Sequence, residues 1–123
     1  MRLEERDLAC FIDIVECIID IIQFTKGVSF IEFENDKMRK LAVERQLEVL
    51  GQAANGILEP TQEQYHFLPW ARMIGLRNKL AHDYGEILAK RIWEISKNSI
   101  PALLEDLKTI PEIRDYVEKR PVG

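Results

Sequence analysis

The chain has 123 residues, a length that fits one domain with one core; a single helical domain is expected over 1–123, with its core at about 3–110. Hydrophobic residues make up 46% and charged residues 31%, which excludes a disordered chain, and six glycines with five prolines are too few for a loop-rich β protein. Seventeen Lys and Arg stand against 21 Asp and Glu, and the net charge of −4 excludes coating nucleic acid by bulk charge but not a local basic site.

The first helix is expected over 3–26. Leu8, Phe11, Ile12, Val15, Ile18, Ile19 and Ile22 follow the i, i+3, i+4 spacing of one apolar face. Glu4, Glu5 and Asp7 fall in the first turns, where carboxylates favour the positive end of the helix dipole. Cys10 and Cys17 on this helix lie about 10.5 Å apart along the axis. A disulfide needs less than about 7 Å, so they cannot bridge within the chain. No apolar run reaches the roughly 18–20 residues of a membrane span, since Asp20 and Gln23 break the best candidate at 18–24. The acidic start lacks the basic-then-apolar layout of a signal peptide, so a cytoplasmic protein is expected.

Residues 28–33 are expected as a connector whose apolar side chains fold back on the core. A second long helix is expected over 35–58, capped by Asn35 or Asp36. Val43, Leu47, Leu50, Ala54, Ile57 and Leu58 form one stripe on it, and Met38, Ala42, Val49 and Ala53 a second, so it should have neighbours on two sides. Asn55-Gly56 could stop it a turn earlier, and Glu59-Pro60 should end it firmly. A loop or short helical turn follows at 61–68.

Pro69 suits the first turn of a third helix over 69–82, and Gly85 marks the break after it. The fourth helix starts at about Glu86 and carries Ile87, Leu88, Ile92, Ile95, Ile100, Leu103, Leu104 and Leu107, with a kink or restart expected at Pro101. A short last helix is expected over 111–119. With no period-two segment and no internal repeat, the fold class is all-α, an antiparallel bundle of four to five helices.

Charge is uneven along this bundle. Residues 1–22 carry two Arg and six Asp or Glu, whereas residues 70–97 carry six Lys or Arg and three Asp or Glu. That basic segment holds Arg77-Asn78-Lys79-Leu80-Ala81-His82-Asp83-Tyr84. Asn78 and His82, four apart, share a helix face, so Asn78 can orient the imidazole. Arg77 and His82, five apart, are separated by about 140° of rotation and 7.5 Å of rise, and flank one groove. Tyr84 returns to the Arg77 side if the helix persists that far. A His near a helix end can instead simply cap carbonyls at the negative dipole end. No residues have metal-ligand spacing, and neither a phosphate loop nor a Ser-His-Asp set is present. Chemistry here would therefore rest on proton transfer and a charged clamp, with no metal and no cofactor.

The octapeptide RNKLAHDY resembles the Arg-polar-x3-His-x-Tyr signature of HEPN domains, specifically the HepT-like toxins. Trp70, Ile74-Gly75, the helix VERQLEVLGQAAN and the segments IWEI and IPALLEDL extend the resemblance over about residues 3–107. It implies a helical-bundle, metal-independent ribonuclease, the toxin of a pair whose partner is an MntA-type nucleotidyltransferase that silences it by AMP transfer to tyrosine. Carried onto this chain, it implies Arg77 and His82 as the catalytic pair, Asn78 as the polar residue beside them and Tyr84 as the AMPylation site. One motif His per chain is few for both an acid and a base, and Gly75 within a helix suggests close approach, either a tight helix crossing within one bundle or, as the resemblance favours, a homodimer seam at the third helix, so a homodimer is expected. The rival expectation is a non-catalytic module binding a nucleotide or a protein, and Arg45 and Glu48 on the second helix have open roles.

Overall fold

The computed structural model describes residues 3–121, and every element among them is helical. Helix α1 (Glu5–Thr25) forms the axis of the molecule. Phe11, Ile14, Val15, Ile18 and Ile21 are fully buried along it, each contributing about 1.5–3 kcal/mol through removal from water. The buried face is thus turned from the expected stripe: Ile14 and Ile21 belong to it, while Leu8, Ile12, Ile19 and Ile22 lie at its half-buried edges.

The expected connector contains a short helix, α2 (Phe30–Glu34). Its start is a capping box, in which Ser29 Oγ accepts from the Glu32 N–H and the Glu32 carboxylate accepts from the Ser29 N–H. Helix α3 (Lys37–Asn55) follows, with the Asp36 carboxylate accepting from the Arg39 N–H. It ends at Asn55-Gly56, the earlier of the two expected stops. Arg39 donates to the Phe24 carbonyl at the end of α1, and Asp7 near the start of α1 accepts from the Leu58 N–H just past α3. The two long helices therefore run antiparallel. Val43, Leu47, Leu50, Ala54 and Ile57 are buried between them as expected, but Leu58 is exposed, and Met38 of the second stripe is 83% exposed.

Gly51 permits the tightest packing around α3. A Cβ there would lie 2.8 Å from the Met73 carbonyl oxygen, so only glycine lets that backbone come so near.

Glu59-Pro60 opens a helix instead of only closing one: α4 (Glu59–Gln64) has Pro60 in its first turn, where no N–H is needed. Asp7, expected merely to favour the dipole of its own helix, is fully buried and also accepts from the Thr61 hydroxyl, so it fastens α4 to α1. The expected third helix is two pieces, α5 (Trp70–Ile74) and α6 (Leu76–Ala81), joined at Gly75. The Phe11 ring meets the edges of Tyr65 and Trp70, each with centroids 5.9 Å away, and holds this segment to α1.

Helix α7 (Gly85–Glu94) continues without a break through a π-helical turn at Ile95–Ser99 into α8 (Ile100–Leu107). Pro101 cannot return a hydrogen bond to the preceding turn, and its ring crowds the carbonyl there. The chain answers by widening, so that the Ile100 N–H reaches the Ile95 carbonyl, five residues back. The expected kink is thus a local change of helix type. Lys97, projecting from this turn, donates to the Thr25 carbonyl at 2.8 Å and stands over the Trp93 ring. With the Arg39 bond it supplies positive charge to the end of α1, whose own last turn has no basic residue.

Helix α9 (Pro111–Lys119) lies where expected. Arg120 just beyond it grips Glu16 of α1 with two bonds of 2.6 and 2.7 Å, and the Tyr116 hydroxyl donates to the same carboxylate. These bonds, the Arg120 pair first, hold the Glu16 carboxyl below the usual carboxylate range. A carboxyl lowered in the folded state adds stability above its unfolded pKa and loses it as pH falls through its folded one. Thermal stability is accordingly expected to fall below about pH 4 in the native chain, and Arg120→Ala should flatten that acid limb. An acid limb of equal steepness in the variant would contradict it. No helix among the described residues is long and apolar enough to cross a membrane.

Candidate active site

The motif occupies α6 and the corner that follows. Leu76 and Leu80 are buried and pin α6 to the core, and this leaves Arg77, Asn78, Lys79 and His82 on the exposed arc. His82 is the residue after the last full turn and keeps helical backbone angles, so the helical offset of about 140° between Arg77 and His82 holds. Neither side chain makes a hydrogen bond or an ion pair within the described residues. No hydrogen bond joins Asn78 to His82, so the orienting contact foreseen from their spacing is not made here. The imidazole does not cap a carbonyl either.

Helical geometry stops before Tyr84. Its backbone is extended (φ −136°, ψ 157°), so the residue does not return to the Arg77 side by helical register. Its side chain is 81% exposed, which leaves the phenol open to modification. Gly85 next to it has φ +56°, a left-handed angle that glycine takes without strain, and it turns the chain into α7.

One residue in this corner escaped the sequence analysis. Asp83 is largely covered and forms an ion pair with Arg91, two turns into α7. The pair ties down the residue between His82 and Tyr84 and so positions both. A separation of eight residues across a glycine turn gives no periodic signal, so only the folded corner reveals it.

Gly75 meets its nearest neighbour within its own chain. A Cβ there would sit 2.9 Å from the Ala71 carbonyl oxygen, so the space it spares is needed by its own chain at the α5–α6 joint. Arg45 and Glu48 pair with each other at 3.6 Å along α3. Both cysteines are free thiols. Burial pushes the Cys17 thiol up to about 11 and raises Cys10 as well, so neither is a ready nucleophile at neutral pH.

A chain whose described elements are all helical, and whose described residues leave a guanidinium and an imidazole five positions apart without partners, belongs to the class of helical bundles with a motif-borne polar site. Comparison with known proteins narrows the class. A family model described as "Ribonuclease HepT-like" matches residues 14–110. A "Putative RNase" of Methanocaldococcus jannaschii is 37% identical over 109 residues, which is 88% of this chain and 100% of that protein. A second "Putative RNase" of the same organism is 39% identical over 117 residues, 94% of each chain. A "Probable ribonuclease HepT" of Thermococcus cleftensis is 35% identical over 91 residues, 74% of this chain and 83% of that one. No solved structure matches the chain. The chain belongs to the HepT-like family.

Proposed function

We propose that the protein is a metal-independent endoribonuclease of the HEPN type and the toxin of a toxin–antitoxin pair, working in the cytoplasm. The observation that carries this reading is the exposed Arg77 on α6 and His82 at its end, neither of them engaged by another group among the described residues, in a member of the HepT-like family. Cleaving RNA without a metal requires a proton taken from the 2′-hydroxyl, a proton given to the departing 5′-oxygen and an offset for charge on the phosphorane. An imidazole serves as the base when neutral and as the acid when protonated, so two of them cover the first two. A guanidinium holds phosphate oxygens through two bonds. Asn78, next to Arg77, supplies a neutral donor and acceptor beside them.

Because the two side chains leave α6 in different directions, one phosphate is served best by two copies of the chain meeting across the Asn78 arc of α6 that lies between them. A homodimer is expected in solution, and a monomeric mass at micromolar concentration would count against it. The experiment for the activity itself is incubation of the purified protein with RNA, with and without a chelator. Cleavage indifferent to the chelator supports the reading, whereas binding of RNA without cleavage favours the non-catalytic module.

The partner in this reading is an MntA-type nucleotidyltransferase. The Tyr84 hydroxyl attacks the α-phosphorus of ATP, pyrophosphate leaves and the phenolic proton is released. The AMP then places an anion and a bulky nucleoside at the corner beside His82. Mass spectrometry of protein co-expressed with the partner is expected to show an adenylyl group on the Tyr84 peptide, absent in Tyr84→Phe. Modification of Tyr65 or Tyr116 instead, or silencing of Tyr84→Phe, would reject this control.

A further inference from the structure

Next to the motif lies a groove of about 360 Å³ between α5–α6 on one side and the π turn with α8 on the other. Buried Leu50, Met73, Leu76, Ile100 and Leu103 make its apolar floor. Phe67, 51% exposed, stands on its rim. Arg72 and Lys79 line it with exposed cationic side chains, and Asp106 of α8 contributes one carboxylate. From Gln64 through His82 the chain has no acidic residue at all. Around α6, the groove-lining Gly75 and Lys79 fall on the same side as His82, at steps of four and three residues. The groove therefore opens on the imidazole side of the motif.

We propose that this groove receives one unpaired nucleotide of the RNA strand, adjacent to the phosphate held at Arg77 and His82. This rests on the ribonuclease reading for the identity of the strand. A base is flat and apolar on its faces, which suits the floor, and its ring stacks on Phe67. Its flanking phosphates meet Lys79 and Arg72, which together outweigh Asp106. A groove made for a purely apolar guest would not be rimmed by two cations on a stretch free of acid. The volume lies within the roughly 300–1,000 Å³ range typical of small-ligand sites, enough for one base and not for a paired duplex. The substrate is accordingly single-stranded at this position, since bases in an A-form helix are stacked and paired and cannot be splayed into it.

The test is fluorescence anisotropy with a short labelled RNA carrying 2′-O-methyl groups, which cannot be cleaved through the 2′-oxygen. It is run single-stranded and as a blunt duplex. Phe67→Ala removes the stacking face at an exposed site, and Ser99→Trp fills the groove from its exposed wall. Each is expected to weaken single-strand binding about tenfold, while Phe67→Tyr binds as the native chain does. Native binding by both Phe67→Ala and Ser99→Trp, or a duplex bound as tightly as the single strand, would overturn the inference. The two readings fail separately. A protein that binds the modified strand through Phe67 yet leaves ordinary RNA intact keeps the groove and loses the nuclease. One that cuts RNA with unchanged KM in both groove variants keeps the nuclease and loses the groove.

Discussion

Arg77→Ala and His82→Ala are each expected to abolish RNA cleavage while leaving helicity and melting temperature intact. The separation follows from their placement. Both side chains are exposed and engage no other group of the described chain, so their removal breaks no contact and leaves no buried partner unsatisfied. Such surface changes normally alter stability by no more than about 0.5 kcal/mol. Loss of a positioned acid or base, by contrast, removes a factor of about 10²–10⁴ in rate, and loss of the guanidinium leaves charge on the phosphorane uncompensated. Circular dichroism beside an RNA cleavage assay reads both quantities. Full activity in either variant, or an absolute requirement for a divalent metal in the native protein, would sink the assignment.

Gly51→Val is expected to have the largest effect on stability, and its effect should extend to the motif. The added Cβ would fall 2.8 Å from the backbone oxygen of Met73 and near the Ile74 carbonyl and Leu76 Cβ as well. A backbone carbonyl held within α5 cannot swing aside as a flexible side chain would. Overpacking of this kind costs about 1–3 kcal/mol. For a chain of this size that lowers Tm by roughly 4 °C per kcal/mol. Valine is the telling replacement, because alanine would recover about 1 kcal/mol through its helix propensity and blur the sign. The α5–α6 joint must move away from α3 to make room, so the variant should also lose cleavage activity at temperatures where it remains folded. An unchanged thermal melt would show that the helices separate without strain.

What the sequence discloses about this fold is governed by how local the cause is. The bounds of α1, α3 and α9 follow from periodicity and stop signals within a few residues of each end. The capping box Ser29-x-x-Glu32 was equally local, yet with a helix only five residues long its apolar pattern is too brief to register as helical. The rotation of the α1 core face toward Ile14 and Ile21 was hidden because apolar residues cover more than half of that helix, and only its neighbours decide which are innermost. Gly51 looks like any helical glycine until Met73 is brought opposite. At the site, the exposed arc of Arg77, Asn78 and His82 was foreseeable from Leu76 and Leu80. The extended backbone of Tyr84 and the Asp83–Arg91 pair depend on a turn whose geometry no periodicity encodes.

The π turn bears on how this chain should be aligned with its relatives. A turn closed over five residues holds one residue more than an α turn, while the helix on either side keeps its face toward the core. Ile92 and Ile100 are both buried although eight positions separate them, with the buried Ser96 between bonding back to the Ile92 carbonyl. A relative whose helix runs straight through this region reaches the same two core contacts with one residue fewer. The gap in a correct alignment then belongs within residues 95–99 and not in a loop. Where a proline follows at the position of Pro101, no gap is expected, because the proline removes the N–H that a straight helix would use there.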